Sequence, residues 1–288
     1  MFSIIIPAFN EEDAIDSTIK QCKAIIEKCG DTQSEVIIVD DGSNDNTIEN
    51  AKIAGAQVIR HPHNIGYGRS LKDGIMAAKN DIIIITDADG TYPIESIPEL
   101  LSEYSKGFDM VVGTRSGKHY RESLFKTIHR RILKFLVEFT AGRKIPDINS
   151  GLRIFSKKTV TSYFNTLCDT FSFTTSLTLA YMMTGKFVKY IPIQYNKRIG
   201  KTKVRLFADS MRTLQFIVEA ILYYNPIKIF LVFSMLLIFF AIISLTIAYF
   251  TFIKITYIFG IACLIASIFM FGMGLLSVQL KQIINRDK

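Results

Sequence analysis

Two long charge-free stretches constrain this chain more than any other feature. No charged residue occurs from Ile229 to Ile253, and none from Ile255 to Leu280. A helix needs roughly 20 apolar residues to cross the hydrocarbon core of a bilayer, so each stretch is long enough to span one. Lys254 alone separates them, which predicts a tight helical hairpin over 227–280 (spans 229–253 and 255–280) with both ends on one side. Lys228 precedes the first span, and Lys281, Arg286 and Lys288 follow the second. Positive charge collects on the cytoplasmic side of membrane spans. The ends, including the 281–288 tail, are therefore expected in the cytoplasm of a cell (inner) membrane protein, with Lys254 outside. Small residues at Gly260, Ala262, Ala266, Gly272 and Gly274 predict close packing, within the hairpin or between copies in a homo-oligomer. No carboxylate lies in either span, which argues against a proton or ion path.

Residues 1–203 read differently. Short β-branched runs (Phe2–Ile6, Glu35–Asp40, Gln57–Arg60, Asp81–Thr86, Met110–Gly113) alternate with helical patterns (Glu12–Lys28, Thr47–Ala54, Ser70–Ala78, Ile94–Ser105). Such alternation predicts an α/β domain with a mostly parallel sheet and helices on both faces. Ligands of these sheets sit beyond the carboxyl ends of the strands. Three polar motifs fall there: Pro7-Ala8-Phe9-Asn10-Glu11-Glu12, Asp40-Asp41-Gly42-Ser43 and Asp87-Ala88-Asp89. The net charge of +8 points to an anionic partner, phosphate or a lipid surface. Nucleic acid is not expected, since no nucleic-acid module pattern is present. Cys22, Cys29, Cys168 and Cys263 form no Cys-x-x-Cys pair, so free thiols in a reducing compartment are expected. Met1-Phe2-Ser3 runs straight into a strand, and the N-terminal domain is expected to stay cytoplasmic.

Asp87 and Asp89 close an apolar run at i, i+2 spacing, which aims both carboxylates to one side. Two hard oxygen ligands at the end of a buried strand suit Mg²⁺ or Mn²⁺, with a phosphorylated substrate completing the shell. Asp and Gly also favour ordinary turns, so the motif alone does not decide. The first strand lacks a Gly-x-Gly-x-x-Gly, and a P-loop is missing, which sets aside dinucleotide and ATPase readings. Asn64, Gly66 and Gly68 make a glycine-punctuated loop where backbone can approach a ligand. His61 and His63 have no matching ligand pair elsewhere and read as surface loop residues.

Two segments point toward the membrane. Residues 120–140 are amphipathic, with Leu124, Phe125, Ile128, Ile132, Phe135, Leu136 and Phe139 on one face and Lys126, Arg130 and Lys134 opposite. A basic amphipathic helix reads as lying in the headgroup layer. Arg131, at the edge of the apolar face, is the better candidate to reach a lipid phosphate. A juxtamembrane helix is expected over Leu206–Tyr224, within segment 204–226. Before it, 196–205 holds Lys197, Arg198, Lys201, Lys203 and Arg205 without a carboxylate. A basic, glycine-containing loop suits a lid over a diphosphate, with Arg198 and Lys203 on the donor.

The Ser3–Glu12 strand and turn, Asp40-Asp41-Gly42-Ser43, Asn64-Ile65-Gly66-Tyr67-Gly68 and Asp87-Ala88-Asp89-Gly90 resemble glycosyltransferase family 2, with its Rossmann-like GT-A fold. Ser150-Gly151-Leu152-Arg153-Ile154-Phe155, Arg198-Ile199-Gly200-Lys201-Thr202-Lys203 and the terminal hairpin narrow the likeness to polyprenyl-phosphate glycosyltransferases of the dolichol-phosphate mannose synthase type. The resemblance covers essentially the whole chain. It implies that the loop of Pro7, Phe9 and Glu11 holds the base and ribose of a UDP- or GDP-sugar, that Asp41 reads the base edge, and that Asp87, Ala88 and Asp89 meet the diphosphate. It also places Arg115, at a strand end, near the acceptor phosphate. Related synthases often carry Gln where this chain has Thr91.

These expectations converge on an inverting membrane transferase with polyprenyl phosphate (undecaprenyl or dolichyl) as acceptor. A phosphate nucleophile is already anionic, so a dedicated base is less necessary than for an alcohol. Asp147 is the one candidate for a base or a sugar-hydroxyl contact. The competing readings are a family-2 transferase with an alcohol acceptor in polysaccharide synthesis, and a non-catalytic scaffold that keeps the fold. The chain has no Trp, whereas processive synthases of the family carry Gln-x-x-Arg-Trp, and intact Asp87 and Asp89 argue against the scaffold.

Overall fold

A computed structural model describes residues 1–117, 124–200 and 206–286. They fall into two compact units, Met1–Ile217 and Val218–Lys288.

The first unit is built on one sheet. Its strands are β1 (Phe2–Ala8), β2 (Glu35–Asp40), β3 (Gln57–Arg60), β4 (Ile82–Ile85), β5 (Met110–Ser116), β6 (Arg153–Ser156) and β7 (Val188–Gln194), in the order β3-β2-β1-β4-β6-β5-β7. Among the described residues β6 alone runs against its neighbours, β4 and β5. The other pairings are parallel. The connecting helices are α1 (Ile15–Lys28), α2 (Thr47–Ile53), α3 (Tyr67–Ala77), α4 (Ile97–Tyr104), α5 (Leu124–Ala141), α6 (Lys157–Thr161), α7 (Phe173–Met183) and α8 (Leu206–Tyr224).

Strand alternation sorts the core into two layers. Ile4 and Ile6 of β1 join Ile15, Ile19 and Cys22 of α1. Ile5, between them, points the other way, where a Cβ on Gly74 of α3 would fall on its side chain. Glycine thus lets α3 lie close on β1 and β2, and the sheet is covered on both faces. A mostly parallel sheet with helices on both sides is the expected α/β class.

Beyond β4, the expected strand at Met110–Gly113 is present as β5, while β6 and β7 are not among the expected strands. β6 is four residues long and carries a fully buried arginine, Arg153. β7 is an edge strand with Pro192 inside it, a position at which proline is tolerated because one side of the ladder is open. α7 is buried at nearly every position and therefore shows no amphipathic period. On α5, Val137 and Thr140 are buried, while Phe135 is 66% exposed and stacks on Phe139. Of the apolar face expected, Phe135 is exposed while Leu136 and Phe139 are half-buried. The first residues of the expected 120–140 helix, 120–123, lie outside the described residues.

The second unit begins within α8, at Val218, and its main feature is a helical hairpin of α9 (Ile227–Thr251) and α10 (Lys254–Arg286). Both are long and apolar enough to cross a membrane, with mean hydropathies of 2.8 for Ile227–Thr251 and 2.3 for Lys254–Ile283. Phe252, in the left-handed region at φ 58°, turns the chain between them. Ser234 Oγ donates to Ser267 O (3.1 Å) and Ser244 Oγ to Thr256 O (2.6 Å), the register of an antiparallel pair. Gly260 packs under Leu245 and Gly274 under Phe230. The seam thus uses Gly260, Cys263, Ser267 and Gly274, while Ala262 of the expected small pair is exposed and a Cβ on Gly272 would meet nothing within 4 Å.

Candidate active site

Parallel strands deliver their last residues to one edge, and the acidic motifs meet there. Asp41 N donates to Ala8 O (2.8 Å), and His61 N to Asp40 O (2.8 Å), which ties the loops after β1, β2 and β3 together. Pro7, expected in the loop, is a buried residue of β1 opposite Val39, and the loop of Phe9 and Glu11 after the strand is stitched to the next one: Asn10 N donates to Ser43 Oγ and Glu11 N to Thr47 Oγ1, both at 2.8 Å. Asn10 takes a left-handed φ of 51°, a conformation that asparagine tolerates.

Beyond β4, Asp87 is half-buried and Asp89 buried on a turn that Gly90 makes at φ 70°. Ala88, between them, is also buried, and its carbonyl accepts from Thr18 Oγ1 of α1 (3.0 Å). Asp87 Oδ1 accepts from Tyr67 OH (2.9 Å). Asp89 Oδ1 accepts from both the N–H and the hydroxyl of Thr91, at 3.1 and 2.6 Å. Thr91 therefore holds Asp89 from the protein side. Burial, and then the charge of Asp89, push the Asp87 carboxyl up to about 7. Two carboxylates this close call for a cation.

Arg198 brings a cation to the pair. Its Nη1 lies 3.2 Å from Asp89 Oδ2 and its Nη2 donates to Glu11 Oε1 at 3.0 Å. The backbone is docked as well: Asn196 N donates to Thr91 O (2.9 Å) and Ile199 N to Asp89 O (3.1 Å). The structure thus joins Glu11, Asp89 and Arg198, residues distant in sequence. Lys203, the other lid residue expected on the donor, lies outside the described residues.

Arg115 and Asp147 form a forked pair, Nε to Oδ2 and Nη2 to Oδ1, each at 2.8 Å. The Arg115 guanidinium also lies over the Tyr195 ring, 5.6 Å from its centroid. Burial alone would raise the Asp147 carboxyl, but the Arg115 charge and the hydrogen bonds from Arg115 and the Asn149 N–H outweigh it and hold the carboxyl below its ordinary range. A carboxylate so held is a poor proton acceptor. Its geometry suits fixing Arg115 rather than acting as a base.

Four other expected residues are placed differently. Asp41 turns inward: Oδ1 meets His61 Nδ1 (2.9 Å) and the Ile65 N–H (3.0 Å), and Oδ2 accepts from the Gly66 N–H (2.9 Å). Both its oxygens hold the glycine loop instead of facing outward to a base. His61 is not a surface residue: it is 7% exposed, and its Nε2 meets Asp73 Oδ2 at 3.1 Å. Gly66 and Gly68 are close to protein, not to an open site, since a Cβ on either would strike the backbone of Cys168–Thr170. Arg131 is exposed on α5.

The residues missed beforehand are Tyr67, Gly151 and Arg153. Arg153 donates from Nε to Ser150 O (2.7 Å), from Nη2 to Ile148 O (2.9 Å) and from Nη1 to Thr178 Oγ1 (2.8 Å). It anchors the loop that carries Asp147 to α7. Its only advance signal was a charged residue inside the Ser150–Phe155 motif.

The profile of glycosyl transferase family 2 matches residues 3–164, more than half the chain. The chain belongs to this family. It is a glycosyltransferase. A dolichyl-phosphate hexose transferase of Haloferax volcanii is 30% identical over 72% of this chain and 88% of its own length. An undecaprenyl-phosphate 4-deoxy-4-formamido-L-arabinose transferase of Pectobacterium atrosepticum is also 30% identical, over 56% of this chain, which spans only 50% of that longer protein. The fold is shared with glucosyl-3-phosphoglycerate synthase of Mycobacterium tuberculosis, solved with Mn²⁺, UDP-glucose and phosphoglyceric acid. That structure has a TM-score of 0.62 at 20% identity, and the match covers 76% of this chain and 79% of that one.

Proposed function

We propose that this family-2 glycosyltransferase moves a sugar from a nucleotide-sugar donor, UDP- or GDP-linked, to the phosphate of a polyprenol, with inversion, at the surface of the membrane that its hairpin crosses. One observation carries the reading. An acidic pair largely shielded from solvent at the carboxyl edge of the sheet, with Arg198 against it, occurs in a chain that carries two helices apolar enough to span a bilayer. The names of the Haloferax and Pectobacterium relatives support the acceptor class.

The donor set fits a hard divalent cation, Mg²⁺ or Mn²⁺. Asp87 and Asp89 offer carboxylate oxygens of like charge in a buried place, and no group of three or more His, Cys, Asp or Glu is found among the described residues. Such a pair leaves the rest of a coordination shell to substrate phosphates, the usual arrangement for Mg²⁺ in nucleotide sites. The bound metal would supply neutralisation of the leaving nucleoside diphosphate. The Mn²⁺ in the mycobacterial synthase supports this reading.

The protein's own groups do the rest. The segments carrying Pro7, Phe9 and Glu11, and Asp40 and Asp41, hold the nucleotide end. Arg198, with a buried Nε that has no hydrogen-bond partner, meets the diphosphate when Asp89 and Glu11 release it. Lys203 is assigned to the same lid. Arg115, oriented by Asp147, and Arg131, on the exposed side of α5, meet the acceptor phosphate, whose oxygen attacks the anomeric carbon from the face opposite the departing diphosphate. The acceptor is already ionised, so positioning and charge neutralisation carry the rate.

The test is direct. Purified full-length protein is incubated with UDP- and GDP-sugars and either undecaprenyl or dolichyl phosphate, and products are read by mass spectrometry. A glycosyl phosphoprenol is expected. Transfer to alcohol acceptors alone would replace this reading with the polysaccharide one.

A further inference from the structure

Two motifs remain without a chemical role: Gly66-Tyr67-Gly68 and Ser150-Gly151. Both meet at Asp87. The Tyr67 hydroxyl donates to Asp87 Oδ1 at 2.9 Å. The carboxylate also lies against Gly151, where a Cβ would come within 2.8 Å of Oδ1, 3.0 Å of Oδ2 and 3.1 Å of Cγ. Contacts under 3.0 Å force something to move, so no residue larger than glycine fits without displacing Asp87. Gly151 is itself fixed, its N–H donating to Tyr92 OH at 2.6 Å.

Tyr67 is held just as firmly. It opens α3 between two glycines that press on the backbone of Cys168–Thr170. Arg69 N donates to Asp169 O at 2.8 Å, and the Tyr67 ring leans on Phe171 with centroids 5.8 Å apart. The hydroxyl is therefore aimed by the fold and does not find Asp87 by chance rotation.

We propose that Tyr67 and Gly151 are positioning residues that hold Asp87 with Oδ1 on the tyrosine hydroxyl and Oδ2 presented to a divalent cation, so that Asp87 binds metal through one oxygen. This rests on the reading of Asp87 and Asp89 as metal ligands. A hydrogen bond to the non-ligating oxygen fixes the carboxylate, and loss of such outer partners typically costs roughly 10–100-fold in metal affinity or activity.

The experiment uses the full chain in detergent and Mn²⁺ alone, with free Mn²⁺ followed by its electron paramagnetic resonance signal. Tyr67→Phe keeps the ring and removes one oxygen. It is expected to weaken Mn²⁺ binding by roughly 10–100-fold while leaving the melting temperature near wild type. Gly151→Ala should weaken binding in the same direction, by displacing the carboxylate. Asp87→Asn is the reference and should lose most binding. If Asp87→Asn loses binding but Tyr67→Phe equals wild type, the positioning role is overturned and the metal reading stands. If Asp87→Asn equals wild type, or the wild type takes up no Mn²⁺, both are overturned.

Discussion

Asp89 divides its oxygens between Thr91 and Arg198, and that division sets what substitution there would do. Asp89→Asn keeps the volume and the Thr91 contacts but removes the charge. Transfer activity should fall to background with the fold retained, and wild-type activity should be lost in excess chelator and return with Mg²⁺ or Mn²⁺. Full activity in chelator would refute the metal role. The Arg115–Asp147 pair gives a second residue-level test. The Asp147 carboxyl is held low in the folded protein, so its contribution to stability is complete above the ordinary value of 3.8 and disappears as pH falls through the lowered value. Arg115→Leu strands a buried carboxylate and should cost about 3–5 kcal/mol near neutral pH. The gap from wild type should narrow as pH falls, first because burial raises the stranded carboxyl so that it takes a proton above its ordinary value, and then because the wild type loses its own pair below 3.8. A gap that stays constant with pH, by thermal unfolding, would show that packing and not charge carries the pair.

At the scale of elements, glycine decides how closely helices can approach. A Cβ on Gly68 would fall on the Cys168 carbonyl oxygen, a backbone atom that cannot rotate away. Gly68→Ala should therefore destabilise by about 1–3 kcal/mol and shift the start of α3, with Tyr67 on it. Gly272→Ala, on α10, meets no atom within 4 Å and should hold or slightly raise the melting temperature. A tolerated Gly68→Ala, judged by melting temperature and activity together, would mean that the 168–170 segment yields more easily than its hydrogen bonds indicate.

For the whole molecule the open quantity is orientation. Lys254 stands at the turn of the hairpin, and Lys228 and Lys281 stand at its other end. The charge distribution favours a cytoplasmic catalytic unit. A cysteine introduced at position 254 should react with an impermeant thiol reagent added to intact cells, and one introduced at position 288 should not. Labelling at 288 would invert the arrangement.

Sequence alone determined the parts that depend on local pattern. Charge-free length specified the hairpin, alternation of strand and helix specified the sheet class, and carboxylates at a strand end marked the edge where chemistry gathers. Element bounds such as Glu35–Asp40 and Leu206–Tyr224 were readable because propensity and burial agree there. Tertiary structure decided the rest. β6 and β7 escaped because a buried arginine and an internal proline contradict strand preference, and only their neighbours in the sheet overrule it. The inward turn of Asp41, the burial of His61 and the fork of Arg115 on Asp147 depend on groups 20 or more residues apart, whose distances no local pattern encodes. The same holds for Tyr67 and Gly151, which read as loop residues in one dimension and close on Asp87 in three, because a folded chain brings together donors, acceptors and empty space that sequence spacing keeps apart.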